Sequence, residues 1–206
     1  MVSANTFTIY RTLDARQLGV RKRLLGAARE LIRENGHESV AMESIATAAG
    51  VSRATAYRYF ASKEHVVCEA ALDWGQEVAA RIPDVIAAAA SDPVAAMDGA
   101  IEQIVREAAT DLAMVRATMA SVLALGPVAD QFRLGVREMF LDLLGGAMGG
   151  WREVPESLTL DPALTVLGRV FLADMALLGV GDITVDQCIE ELRLAAQRLL
   201  IGPASS

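Results

Sequence analysis

The sequence predicts two short helices with apolar faces in succession, and only three residues join them: Gly50, Val51 and Ser52. The first face consists of residues that recur at the spacing of one side of a helix: Met42, Ile45, Ala46 and Ala49. Gly50 ends this face, and Ser52 favours the N-cap of a second helix whose inward side holds Ala56 and Phe60. Two short helices joined by a tight, glycine-containing turn are typical of the helix-turn-helix motif.

A longer amphipathic helix precedes this pair. In "RKRLLGAARELIREN" the apolar residues recur on one helix face: Leu24, Ala28, Leu31 and Ile32. Gly36, which follows Asn35, is the residue type that most often ends a helix. After the motif, Ser62 predicts the cap of a fourth helix, which continues through Trp74.

The remainder of the chain also has helical patterns only. Two helix starts place Asp at the N-cap before Pro at the first helical position: Asp92 with Pro93, and Asp161 with Pro162. Thr184 and Gln187 have capping-box spacing for the last helix, and further helices are predicted at about 112–125 and 128–148. Since no useful strand alternation occurs, we predict an all-α fold: a three-helix helix-turn-helix domain and a larger helical domain.

Although 53% of the residues are hydrophobic, the longest stretch without Asp, Glu, Lys or Arg has only 13 residues, 117–129. A membrane-spanning helix needs about 20 predominantly apolar residues. The N-terminal "MVSANTFTIYR" lacks the basic and long apolar regions of a secretory signal. These features predict a cytoplasmic protein that does not cross a membrane.

The charges are unevenly distributed along the chain. Residues 1–65 carry ten Lys and Arg against six Asp and Glu, a net charge of +4, whereas the remaining 141 carry nine against twenty, a net charge of −11. A basic N-terminal third on an acidic body is expected if only one end of the protein contacts phosphate.

The cysteines and histidines do not form a metal-ligand pattern. Cys68 and Cys188 lie far apart without a CxxC motif, and His37 and His65 occur in unrelated contexts. Packing or surface positions are the better interpretation for all four residues, with redox sensing or ligation as the alternative. We therefore predict neither a metal site nor a cofactor.

The exposed face of the second motif helix carries groups suited to duplex DNA. At 100° per residue, Ala54 and Arg58 lie opposite buried Ala56, and Thr55 and Tyr57 flank them. A small Ala54 permits close backbone approach, and Arg53 at the helix start can reach guanine O6 and N7 or a phosphate. The alternative is a merely solvated face.

Lys63, in the first turn of the next helix, lies where free N–H groups and the helix dipole favour an anion. Thr55 can donate to phosphate or contact a thymine methyl, and Tyr57 offers a phenol at backbone height. Together these residues predict a surface that positions and reads DNA.

The segment "LLGAARELIRENGHESVAMESIATAAGVSRATAYRYFASKEHVV" resembles the N-terminal DNA-binding domain of the tetracycline-repressor family. The features that carry the resemblance are "IATAAGVSRATAYRYF" and the "SK" that follows, and it covers about residues 18–78. It implies an all-α homodimer with a DNA-binding domain at 18–78, its motif at 41–60, and an effector-binding and dimerisation domain at 79–206.

By position, the resemblance implies that the recognition helix contacts DNA through Arg53, Thr55, Tyr57 and Tyr59, and that Lys63 contacts a phosphate. One feature departs from the family pattern. Many members have Ser or Thr at the start of helix two, where this chain has Val40 and Ala41. Ser39 is then the expected cap, one position early.

Apolar stripes in the last two helices suit either a four-helix dimer interface or an intrachain core. Their residues are Leu164, Leu167, Phe171 and Leu178 on one helix, and Val185, Ile189, Leu192, Ala196 and Leu199 on the other. The resemblance favours the interface.

Methionine and aromatic residues are frequent in the body of the chain and can line an apolar pocket or fill a core. The residues that we select as pocket candidates are Trp74, Met97, Ile101, Met119, Phe140 and Phe171. They do not identify an effector.

The function most consistent with these features is that of a repressor which binds a palindromic operator as a homodimer and is released by a small, apolar effector. A ligand-independent or activating DNA-binding protein is the nearest alternative. An enzyme is disfavoured because the sequence has no HExxH, phosphate-loop or nucleophile motif.

Overall fold

A computed structural model describes residues 14–89, 92–148 and 160–201 of the chain. Within these ranges the chain is helical and has no strand, which confirms the predicted all-α fold. Residues 1–13, on which the expectation about a signal segment rests, lie outside the described part. The helices are α1 (Ala15–Asn35), α2 (Met42–Ala48), α3 (Arg53–Tyr59), α4 (Lys63–Ala79), α5 (Pro83–Ala88), α6 (Pro93–Ala109), α7 (Leu112–Leu123), α8 (Pro127–Met148), α9 (Leu160–Val180) and α10 (Val185–Ala196), followed by a π-helical turn, Gln197–Ile201.

Local sequence signals set most of the helix ends. Helix α1 ends at Asn35, and Gly36 follows with a φ of +75°, a conformation in which a side chain is strained. The Asp92 carboxylate accepts hydrogen bonds from the backbone N–H groups of Val94 and Ala95 at the start of α6. These ends were predicted from the sequence and are confirmed.

The capping box of α10 is also confirmed. The Thr184 backbone N–H donates to Gln187 Oε1 at 2.8 Å, and the Gln187 N–H donates to the Thr184 hydroxyl at 3.2 Å. The predicted start of α9 is wrong: the helix begins at Leu160, so that Asp161 and Pro162 lie inside its first turn. Proline is tolerated there because the first N–H groups of a helix have no intrahelical acceptor.

The described residues form two compact units. The first consists of the residues up to Gly75 together with Arg116–Val136, and the second of Gln76–Val115 with the residues from Arg137 onward. The predicted division at residues 78 and 79 concerns function and stays a prediction. In the first unit α2 packs on α1 and α3, and its core is formed by buried side chains: Leu24, Leu25, Ala28, Ile32, Met42, Ile45, Ala46, Ala56, Phe60 and Val66.

In the second unit α10 packs on α6 and α9, and α5 packs on α6. Ile82, Ala100 and Ile104 form a buried apolar cluster, against which Phe171 and Leu143 pack. Gly168 of α9 lies so close to Phe140 that an added Cβ would be 3.2 Å from its ring. The absence of a side chain at this glycine therefore permits the close approach of α8 and α9.

The segment Pro162–Val180 of α9 is long and apolar enough to span a membrane by length and composition alone. It carries Arg169 and Asp174, and one of its sides packs on α10. Core helices of soluble proteins have the same composition, so this helix is weak evidence for a membrane span.

Candidate nucleic-acid interface

The turn between α2 and α3 is fixed by local hydrogen bonds. Gly50 has a φ of +67°, and the Val51 backbone N–H donates to the Ala46 carbonyl at 3.0 Å. The Ser52 hydroxyl accepts from the Thr55 backbone N–H at 3.1 Å, so Ser52 is the N-cap of α3 as predicted. The turn therefore sets the direction in which α3 leaves α2.

Two buried residues hold α3 against the unit. Ala56 and Phe60 have almost no exposed surface. Burial of a phenylalanine side chain stabilises a fold by about 1.5–3 kcal/mol, so these contacts determine which face of the helix points outward. The outward residues are Arg53, Ala54, Tyr57 and Arg58, which are exposed, with Thr55 and Tyr59 half-buried at the edges.

The Arg53 guanidinium has partners from two helices. Its Nη1 lies 2.6 Å from Oε1 of Glu43 in α2, and its Cζ lies 5.4 Å from the centroid of the Tyr57 ring. Hydrogen bonding to Tyr57 and the negative charge of Glu43 raise the pKa of Arg53 above its ordinary value. Arg53 is therefore a permanent cation with a defined position on the surface.

The other polar groups of this surface differ in the hydrogen bonds and ion pairs that they form within the protein. Arg58 is exposed and forms no ion pair with any residue that the structure describes. The Thr55 hydroxyl lies 2.9 Å from the Ser52 hydroxyl. Lys63 is half-buried, and its Nζ donates to the Glu38 carbonyl at 3.1 Å, which leaves two of its three N–H groups for another acceptor.

The start of α2 has no side-chain cap. Ala41 is its N-cap residue and makes no capping hydrogen bond, so the expectation that Ser39 caps the helix is wrong. The Ser39 backbone N–H instead donates to the Gly36 carbonyl in the preceding turn. The start of α2 therefore lacks the hydroxyl that a phosphate contact there would use.

This arrangement of an anchored, capped helix behind a short turn agrees with a comparison against protein families. Residues 24–70 match the family described as bacterial regulatory proteins, tetR family. The comparison therefore assigns this segment of the chain, and no other, to that family. The match covers α2 and α3 and parts of α1 and α4, and it includes the surface residues described above.

Curated relatives match a short part of the chain. HTH-type transcriptional regulators of Mycobacterium tuberculosis and Mycobacterium bovis, both named as uncharacterized, are 35% identical over 65 residues. The match covers 32% of this chain and only 30% of the length of those relatives.

Solved structures extend the similarity in fold to nearly the whole chain. A TetR transcriptional regulator from Rhodococcus sp. RHA1 has a TM-score of 0.71 at 23% identity, over 92% of this chain and 100% of that one. The Thermus thermophilus FadR repressor in complex with lauroyl-CoA has a TM-score of 0.73 at 22% identity, over 90% and 96%. Identities this low establish the fold alone, and the proteins compared here are named as transcriptional regulators or as a repressor.

Sequence reasoning missed a group of charged side chains beneath the end of α3. Glu69 is buried, forms an ion pair with Arg21 of α1, and lies 3.6 Å from His65 Nε2. Phe60 is near both Arg21 and His65. Arg21 Cζ lies 5.9 Å from the centroid of the Phe60 ring, and the His65 ring meets that ring edge-on, with the two centroids 5.4 Å apart. Only the i, i+4 spacing of His65 and Glu69 was visible in the sequence.

The predicted pocket residues are distributed over both units. Trp74 and Met119 belong to the first unit, and Met97, Ile101, Phe140 and Phe171 belong to the second. Trp74, Met97 and Ile101 are buried, and the other three are half-buried. The Phe140 and Phe171 rings are in contact, with centroids 5.6 Å apart.

Most of the predicted interface residues point into their own chain. Phe171, Val185 and Leu199 are half-buried, and the others are buried: Leu164, Leu167, Leu178, Ile189, Leu192 and Ala196. A side chain that is already buried offers no surface to a second copy. The burial of these six residues therefore favours the intrachain core, which was the alternative interpretation of the apolar stripes.

A buried carboxyl group lies between α9 and α10. Asp174 is 5% exposed, and its Oδ2 has no hydrogen-bond partner in the described chain. Burial, together with the charge of Glu191, raises the pKa of Asp174 to about 6. Burial and the same two carboxylates raise the pKa of the Cys188 thiol to about 12, so this cysteine stays protonated.

Proposed function

We propose that this chain is a DNA-binding transcriptional repressor that acts as a homodimer on a palindromic operator and is released by a small molecule. The observation that carries the proposal is the exposed face of α3, which presents Arg53, Ala54, Tyr57 and Arg58 while Ala56 and Phe60 anchor the opposite side. A recognition helix enters the major groove with such a face.

We assign the residues of this surface two kinds of role. Arg53 reads a base edge, because it lies at the start of α3 and its guanidinium carries several donors on one plane. Thr55, Tyr57, Arg58 and Tyr59 contact the backbone or base edges beside it. Lys63 binds a phosphate with its remaining N–H groups, which supports affinity without sequence preference.

The homodimer forms through the outward side of α9. Four exposed apolar residues and the half-buried Val170 follow 4, 3, 4, 3 spacing there: Val166, Val170, Ala173, Leu177 and Val180. Leu194 of α10 is also exposed, at 56%. Such a stripe suits the packing of α9 against α9 of a second copy.

The effector is a molecule with a long apolar portion. The contact of Phe140 with Phe171, and the apolar cluster that Phe171 joins, provide a surface for such a group. The Thermus thermophilus protein with a similar fold was solved with lauroyl-CoA, which has an apolar chain of this kind.

This function requires a cytoplasmic location, where the protein contacts DNA and no membrane.

The direct test is selection of bound duplexes from a random-sequence pool, followed by footprinting. We expect a palindrome with half-sites related by about one helical turn or a multiple of it. Recovery of an asymmetric single half-site, bound tightly by a monomer, would exclude the dimer. Recovery of no preferred sequence would contradict the function itself.

A further inference from the structure

Glu43 is an acidic residue on the surface that the proposed function turns toward DNA. It is 53% exposed and its partner Arg53 is 62% exposed, with Nη1 and Oε1 2.6 Å apart. Exposed ion pairs contribute only about 0–1 kcal/mol to stability. A carboxylate here stabilises the first turn of α2 by about 0.3–1 kcal/mol, but it also repels phosphate, so its pairing with Arg53 calls for a role beyond support of the fold.

The geometry of the pair leaves part of the arginine free. Glu43 approaches Nη1, and Arg53 Cζ lies 5.4 Å from the centroid of the Tyr57 ring. Glu43 and Tyr57 together engage only part of the five N–H groups of the guanidinium, and the others remain for another acceptor. Guanine O6 and N7 accept two N–H groups of one guanidinium at once, so a guanidinium held in this way is suited to them.

We propose that Glu43 is a specificity-determining positioning residue, which holds Arg53 against Tyr57 so that Arg53 reads a base and does not bind a phosphate. This inference rests on the proposed contact of α3 with DNA. In a complex with random DNA, Arg53 gains no base contact, and a DNA phosphate competes with Glu43 for the Arg53 guanidinium. Glu43 therefore weakens binding to random DNA more than binding to the operator.

The test is Glu43→Gln, which keeps the size of the side chain and removes its charge. We expect the affinity for random-sequence duplex to rise about tenfold, while the affinity for the selected operator changes less than about threefold. The salt dependence of binding to random DNA becomes steeper by about 0.9, the share of one phosphate, because Arg53 is released. Fluorescence anisotropy titrations at several salt concentrations measure both quantities.

Two further variants separate positioning from general charge and from folding. Glu30→Gln makes the same change of net charge at an exposed glutamate that pairs with Arg33 on α1, and it leaves the ratio of the two affinities unchanged. In an Arg53→Ala background, Glu43→Gln no longer alters that ratio. Thermal unfolding of Glu43→Gln stays within about 2 °C of the parent protein.

The inference is overturned if Glu43→Gln leaves the ratio unchanged within about twofold, or changes it equally with and without Arg53. These outcomes leave the proposed function intact, provided that the parent protein selects an operator. If the parent protein selects no duplex, the proposed function itself fails.

Discussion

The Ser52 hydroxyl accepts a hydrogen bond from the Thr55 backbone N–H at 3.1 Å and lies 2.9 Å from the Thr55 hydroxyl. This single side chain satisfies an N–H group at the start of a helix of only seven residues. Helices this short are not stable by themselves, so their ends matter. The cap therefore connects a local sequence signal to the position of the exposed face of α3.

Ser52→Ala is expected to lower the free energy of unfolding by about 1 kcal/mol and to weaken operator binding, because the N-terminal turn of α3 loses its acceptor. Urea unfolding and anisotropy titration measure the two effects. Ser52→Thr keeps the acceptor and is the rescue variant. Ser44→Ala, at an exposed serine of α2, is the matched control, and a loss of equal size there would argue against the cap.

Arg53→Ala and Lys63→Ala are expected to affect DNA binding differently. Loss of Arg53 relaxes sequence preference and costs about 1–3 kcal/mol on the operator if it binds guanine through two hydrogen bonds. Loss of Lys63 weakens binding to all duplexes. It also lowers the slope of log affinity against log salt concentration by the contribution of about one phosphate contact. Equal losses for Arg53→Ala on operator and random DNA would identify it as a second phosphate contact.

Leu177→Glu is expected to convert the proposed dimer into a monomer, because it places a charge in the outward apolar stripe of α9. Leu177 is 38% exposed, so the substitution does not create a fully buried charge in the monomer. Light scattering after size-exclusion chromatography gives the mass. Leu123→Glu, at a leucine that is 79% exposed in the first unit, is the control that should leave the mass unchanged. A dimer that persists in Leu177→Glu would place the interface elsewhere.

An apolar effector is expected to reduce operator affinity at least tenfold, which corresponds to about 1.4 kcal/mol of coupling. By linkage, operator DNA must weaken effector binding by the same factor. Compounds that raise the melting temperature are titrated with and without operator. A compound with the same affinity in both titrations would show that binding and release are not coupled.

Asp174→Asn is expected to stabilise the protein at high pH. The pKa of Asp174 is raised from 3.8 to about 6 in the folded state, so the folded state binds the proton more tightly than the unfolded state. The contribution of Asp174 to the unfolding free energy is therefore most favourable below about pH 4, becomes less favourable as the pH rises toward 6, and stays unfavourable above it. The gain in unfolding free energy at pH 8 should exceed the gain at pH 5 by about 1 kcal/mol.

Urea unfolding of Asp174→Asn at the two pH values measures this difference. Asp182→Asn, at an exposed aspartate before α10, is the control for a simple change of net charge. A gain for Asp174→Asn that is independent of pH would mean that the carboxylate is not the destabilising group.

The sequence by itself determined the helical fold, the helix-turn-helix and the outward face of α3. Each of these depends on residues that are close along the chain. Ser52 caps α3, Gly36 follows the end of α1, and Ala56 of α3 and its C-cap residue Phe60 are the buried apolar residues of this short segment. Periodicity identifies the buried side of such a helix without knowledge of its neighbours.

Only the tertiary structure decided which side of α9 is buried and which residues contact Arg53. Helix α9 is apolar on two sides, so Leu164 and Leu167 could not be distinguished from Val166 and Leu177 by periodicity. The contacts of Glu43 with Arg53 and of Arg21 with Glu69 join different helices. The spacing of residues along a sequence describes one helix at a time, whereas such contacts depend on how the helices pack together.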